Sequence, residues 1–86
     1  MKPICEIDSL GTKKWHLNGL VHREDGPAII WYNGDKSWYL NGVRHREDGP
    51  AFEFCDGSKK WYYHGNRIHC KNNQEFLRMI KLMAFL

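Results

Sequence analysis

The chain has 86 residues, enough for one domain, which at this size buries only roughly 60% of its unfolded surface. A charged fraction of 27% argues against disorder. The net charge of +3, with Lys and Arg interspersed among Asp and Glu, excludes a DNA mimic, which needs a strongly acidic surface.

Cys5, Cys55 and Cys70 are odd in number and lack C-x-x-C spacing, which points to free thiols. Met1–Glu6 has no long apolar stretch, and the longest apolar run, Leu82–Leu86, is far short of a membrane span. The expected compartment is the cytoplasm.

In chain order, the first expected unit covers residues 3–25. A strand leaves Pro3, a turn falls at Asp8–Gly11, and a second strand returns through Trp15 to Asn18-Gly19. The second unit, 26–48, repeats this at a spacing of 23: Gly34 follows Gly11, Trp38 follows Trp15, and Asn41-Gly42 follows Asn18-Gly19. His22-Arg23-Glu24-Asp25-Gly26-Pro27-Ala28 recurs unaltered as His45-Arg46-Glu47-Asp48-Gly49-Pro50-Ala51. Such a period marks stacked supersecondary units. Asn-Gly and Asp-Gly between β-rich segments mark hairpins, because the tight turn needs φ > 0 at both central residues. Aligning Pro3 with Pro27 and Pro50 matches Cys5 with Ile29 and Phe52, at the cost of one extra residue in the first turn.

The third unit, 49–71, keeps Gly57 and Trp61 but replaces the His-Arg-Glu-Asp block with Ile68-His69-Cys70-Lys71, as a terminal, capping repeat should. Asn72-Asn73 and Glu75 then open an amphipathic helix, expected over about 73–86, with apolar positions at 76, 79, 80 and 83 and most of its surface buried. The fold class is therefore mainly β: three tandem β-hairpin repeats, about six strands, forming a meandering antiparallel sheet with one C-terminal amphipathic α-helix.

The pattern Trp-x-x-Asn-Gly-x-x-His-Arg-x-Asp-Gly-Pro-Ala, at 15–28 and 38–51, resembles the repeat of small MORN-like proteins of bacteriophages, large DNA viruses and bacteria. That resemblance implies β-hairpin arrays used for protein or lipid contact, and carries over no chemistry. A phage-type origin would make the chain an inhibitor of a host defence or host enzyme complex, in the manner of an anti-CRISPR protein.

Trp15, Trp38 and Trp61, one per unit on one strand face, are expected as a buried core spine. The His-Arg-Glu-Asp blocks hold residue types for acid–base work, but their repetition points to scaffold, with Asp bonding its own turn and Arg pairing with an acid of a neighbouring unit. No pair has zinc-ligand spacing except His64 and His69, and no nucleotide-binding or nucleophile motif occurs, so no metal, cofactor or catalysis is expected. His16, Tyr39 and Tyr62 face away from the tryptophans; with Arg23, Arg44 and Arg46 near the turns they form the candidate partner-binding set. The expected partner is a larger host protein or complex. A nucleic acid on a basic-aromatic strip is the second reading, no membrane contact is expected, and the helix could join a homodimer.

Overall fold

The computed structural model describes residues 2–83. The strands form an antiparallel meander of one eight-stranded sheet and a separate two-stranded one, with extents of 42 × 32 × 17 Å. Each unit contributes an outward strand, a Trp-bearing return strand and a short third strand. In the first unit these are β1 (Ile4–Ile7), β2 (Lys13–Leu17) and β3 (Leu20–Val21). In the second, β4 (Ile29–Ile30) is followed by a Trp strand that breaks at Trp38 into β5 (Lys36–Ser37) and β6 (Tyr39–Leu40), then by β7 (Val43–Arg44). In the third they are β8 (Phe52–Glu53), β9 (Lys59–Tyr63) and β10 (Asn66–Ile68), after which α1 (Asn73–Met83) closes the described chain. Among the described residues ten strands replace the expected six, because each Asn-Gly or His-Gly turn makes a second hairpin rather than ending the unit and the second Trp strand is split at Trp38. Those turns have φ of 53° and 80° at Asn18-Gly19, 51° and 80° at Asn41-Gly42, and 49° and 84° at His64-Gly65.

The Trp strand is shared. Its second half pairs with the short strand of its own unit, and its first half pairs on the same side with the next unit's outward strand: Lys14 faces Ile29 while His16 faces Val21. The unit therefore cannot be cut out of the stack without leaving half a strand edge open.

The register corrects the Pro3 alignment. Cys5 faces Trp15 and Ile7 faces Lys13, as Ile30 faces Lys36 and Glu53 faces Lys59. Five residues separate each such pair, so the first turn holds no extra residue, and Cys5 occupies the place of Ala28 and Ala51 at an unbroken spacing of 23. What sets the register is the left-handed glycine of each turn, Gly11, Gly34 and Gly57, with φ of 97°, 97° and 93°. Pro3 was a false anchor.

A slab one sheet thick has no second layer to bury a ladder of indoles. Trp15 and Trp38 are equivalent but only half-buried, and the expected spine is buried only at Trp61. There Trp61, Ile68 and the fully buried Phe76 form the main cluster, with Tyr63, Cys70, Met79 and Ile80 against it. The helix thus folds back on the last unit, as its short connection allows. It does so through one face: Leu77, Leu82 and Met83 stay exposed, contrary to the expectation that most of α1 is buried. Phe85 and Leu86 of the expected helix lie outside the described residues. No described helix is long and apolar enough to cross a membrane.

Asn73 ties the helix start to the sheet, accepting from the Trp61 indole N–H at 2.8 Å and donating to the Asp48 carbonyl at 3.1 Å. Asn72 caps it, its side chain accepting from the Glu75 amide at 2.9 Å. Because burial is concentrated here, Phe76→Ala should cost about 3–4 kcal/mol, most of a small domain's stability. Trp38→Ala, at a half-exposed site, should cost roughly half of that. Urea unfolding of the two variants checks the order; equal losses would restore the continuous spine.

Candidate functional site

The side of the sheet bearing the tryptophans is closed by the repeated loops. Arg23 lies over the Trp15 ring with Cζ 3.9 Å from its centroid, and Arg46 lies over Trp38 at the same 3.9 Å. Each lid is fastened in its own loop: Arg23 donates to Asp25 at 3.0 Å and to the Pro27 carbonyl at 3.2 Å, and Arg46 to Asp48 at 2.9 Å and to the Pro50 carbonyl at 3.0 Å. Arg46 also pairs with Glu53 of the next unit at 3.0 Å, an expected contact that Ile30 denies to Arg23. The Arg23 guanidinium holds the Asp25 carboxyl below the usual carboxylate range. A Cβ on Gly49 would meet Arg46 Cζ at 2.8 Å, and one on Gly26 would meet Arg23 Cζ at 3.0 Å, so a side chain at either place would push the lid aside.

The histidines of the same loops are latches. His22 and His45 are 6% and 5% exposed. The Asn41 amide donates to His22 Nδ1 at 2.9 Å, and the His64 amide donates to His45 Nδ1 at 2.7 Å. A backbone N–H can only donate, so Nδ1 is the bare nitrogen and Nε2 carries the hydrogen. Each imidazole of one unit thereby holds the left-handed turn of the next. A second latch accompanies each: the Tyr32 amide donates to Thr12 Oγ1 at 3.1 Å, and the Cys55 amide to Asp35 Oδ1 at 2.7 Å. That last bond holds the Asp35 carboxyl low.

His45, Glu47 and His64 bring ligand-type atoms within 4.8 Å of one another, a zinc-like set that the sequence spacing did not reveal. The signal was available in the repeat, since residues 19 apart meet at every joint. The latch argues against a metal there. Ligation at His45 Nε2 would move the proton to Nδ1 and break the bond to the His64 amide. His22, Glu24 and Asn41 repeat the arrangement with no third ligand, as a structural joint would. His64 and His69 are both exposed.

The opposite side of the sheet is different. Alternation along the strands puts Lys14, His16, Trp31, Tyr39, Phe52, Phe54, Lys60 and Tyr62 there. Trp31 stacks on Phe52 with centroids 5.3 Å apart at 13°, and Phe52 on Phe54 at 4.2 Å and 14°. Arg44 sits among rings, its Cζ 4.9 Å from the Phe52 centroid, 5.0 Å from Tyr62 and 5.3 Å from Tyr39, while it donates to the Tyr39 hydroxyl at 2.7 Å. Among the described residues Arg44 has no carboxylate partner, and its buried Nε has no acceptor. His16 is engaged by Glu6.

The six candidate residues thus divide. His16, Tyr39, Tyr62 and Arg44 share the aromatic side, whereas Arg23 and Arg46 serve as lids on the other. Sequence reading missed Trp31, Phe52 and Phe54 as members of the aromatic strip. The spacing of 23 between Trp31 and Phe54, and the alternation of Phe52 with Phe54, carried that information.

Burial, followed by the charge of His64, pushes the His45 pKa below its ordinary 6.5, with Glu47 opposing. A depressed histidine contributes its stability fully above the unfolded-state value, and loses it as pH falls from there toward the folded-state value, because the unfolded chain takes up the proton first. His45→Gln keeps an acceptor but cannot titrate. Between about pH 7.5 and about pH 5 the wild type should therefore lose more stability than this variant in urea melts. Parallel losses would show that the latch does not titrate. Compared with family models, characterised proteins and solved structures, the chain matches none of them.

Proposed function

We propose that this chain is a small, non-catalytic protein-binding module whose contact surface is the aromatic side of the sheet. One observation carries the reading: Arg44 is held among three aromatic rings with no acidic partner among the described residues. A guanidinium fixed against rings has lost its rotamer freedom in advance and keeps donors for an incoming carboxylate, which is how Arg and aromatic residues come to dominate interfaces. Tyr39, Tyr62, Phe52 and Trp31 supply apolar area around it. The partner is a larger protein presenting an acidic side chain within an apolar patch. The resemblance to phage and viral repeat proteins directs this reading toward inhibition of a host defence or host enzyme complex, in the host cytoplasm. Among the described residues, a helix-mediated homodimer would use Leu77, Leu82 and Met83, since Phe76, Met79 and Ile80 face the chain's own core.

The second reading, a nucleic-acid binder, is favoured by Lys14 and Lys60 on the same side, with Lys60 Nζ 5.3 Å from the Phe54 ring centroid. Capture from host lysate with wild type and Arg44→Ala, each with and without nuclease, separates the two. A protein contact centred on Arg44 should weaken at least about ten-fold in the variant and survive nuclease and physiological salt. Retention that vanishes with nuclease and falls steeply with salt would transfer the function to nucleic acid.

A further inference from the structure

Among the described residues β1 has a neighbouring strand on one side only, whereas its counterparts have two: β4 lies between β2 and β5, and β8 between β5 and β9. The outer contact is the same in both joints. The Trp15 amide donates to the Ala28 carbonyl at 2.8 Å and the Trp38 amide to the Ala51 carbonyl at 2.8 Å; Lys14 faces Ile29 and Ser37 faces Phe52. The strand that fits this edge is therefore seen twice in the chain, as the first half of a Trp strand. β9 offers one at the other end. β10 pairs with Trp61–Tyr63 only, so Lys59 and Lys60 have β8 alone, whereas Lys13 and Lys14 are held on both sides.

We propose that these two edges meet between copies of the chain: β1 of one molecule adds to β9 of the next, with Cys5 against Trp61, Glu6 against Lys60 and Ile7 against Lys59. This is the register that the 23-residue repeat dictates, and three features fit it. Ala28 and Ala51 are both 0% exposed, so the site opposite each tryptophan takes only a small side chain, and Cys5 is small. Glu6 would face lysine on both flanks, Lys14 within the chain and Lys60 across the joint, as Glu53 already faces Lys36 and Lys59. Ser58 stands where Thr12 and Asp35 accept the next unit's amide, and Ser9 stands where Tyr32 and Cys55 donate it.

The helix start engages Trp61 through Phe76 and Asn73, while Lys59 and Lys60 have no strand partner but β8 among the described residues. Ile68 replaces the latch histidine, so the joint has one latch where internal joints have two, and association is weaker than the internal stacking. The contact joins different surfaces and does not close on itself, so it builds chains rather than dimers. It does not use Arg44 itself, although Lys60 stands on the same side of the sheet.

Sedimentation equilibrium of the full chain, in reductant to exclude Cys5 cross-links, tests the joint. The wild-type average mass should rise with concentration beyond two chains. Glu6→Lys and Lys60→Glu should each weaken association about ten-fold by placing like charges opposite one another. An equimolar mixture of the two variants should recover it, because each joint then pairs opposite charges. A monomer at every concentration, or variants that associate as the wild type does, would overturn the proposal. So would a closed dimer abolished by Leu82→Glu alone, which would assign self-association to the helix.

Discussion

Each repeat is held to the next by an imidazole that accepts a hydrogen bond. The turn residue it serves, Asn41 or His64, lies in the left-handed region, where few side chains go willingly. An unpaired amide there would add a desolvation cost to the backbone strain. The Nδ1 of the preceding unit's histidine removes that cost, and at His45 burial pushes the pKa down, favouring the neutral ring. Because the acceptor comes from the unit before, no unit completes its own turn. That dependence explains the last repeat: with no turn beyond it to hold, the histidine position becomes Ile68, which joins the core under the helix.

The two sides of the sheet divide the work. On the tryptophan side the arginine and histidine of the repeated loop are committed: arginine to indole, aspartate and carbonyl, histidine to the neighbouring turn. On the other side the second unit departs from the repeat. Position 37 is serine where its equivalents are Lys14 and Lys60, whereas the arginine at 44 recurs as Arg67 in the third unit. Arg44 lies over Phe52, the cross-strand neighbour of Ser37, where a lysine at 37 would compete for the same space. Function is read most naturally where a repeat breaks its own pattern, because the scaffold has no use for the difference.

The fold class was legible because spacing and turn chemistry agree. Glycine at 11, 34 and 57 and the Asn-Gly pairs admit few backbone paths. The extra hairpins were partly legible in those same turns. The Pro3 alignment failed because proline restricts φ but does not fix which strand residue lies opposite which. The burial of Trp15 and Trp38 was overestimated for a thermodynamic reason: one sheet and one short helix cannot cover three indoles, and a guanidinium lid substitutes for a second layer. The site was half legible. Alternation placed His16, Tyr39 and Tyr62 on one side, but the commitment of Arg23 and Arg46 to lids depends on three-dimensional closure that spacing alone does not express.

The histidine latch is tested most directly by nitrogen-15 NMR of the imidazole rings at neutral pH. The account requires His22 and His45 to be neutral Nε2–H tautomers, with Nδ1 coupled across hydrogen bonds to the amides of Asn41 and His64. Protonation of Nδ1 in either ring, or Asn41 and His64 amides that exchange as freely as unbonded ones, would contradict it.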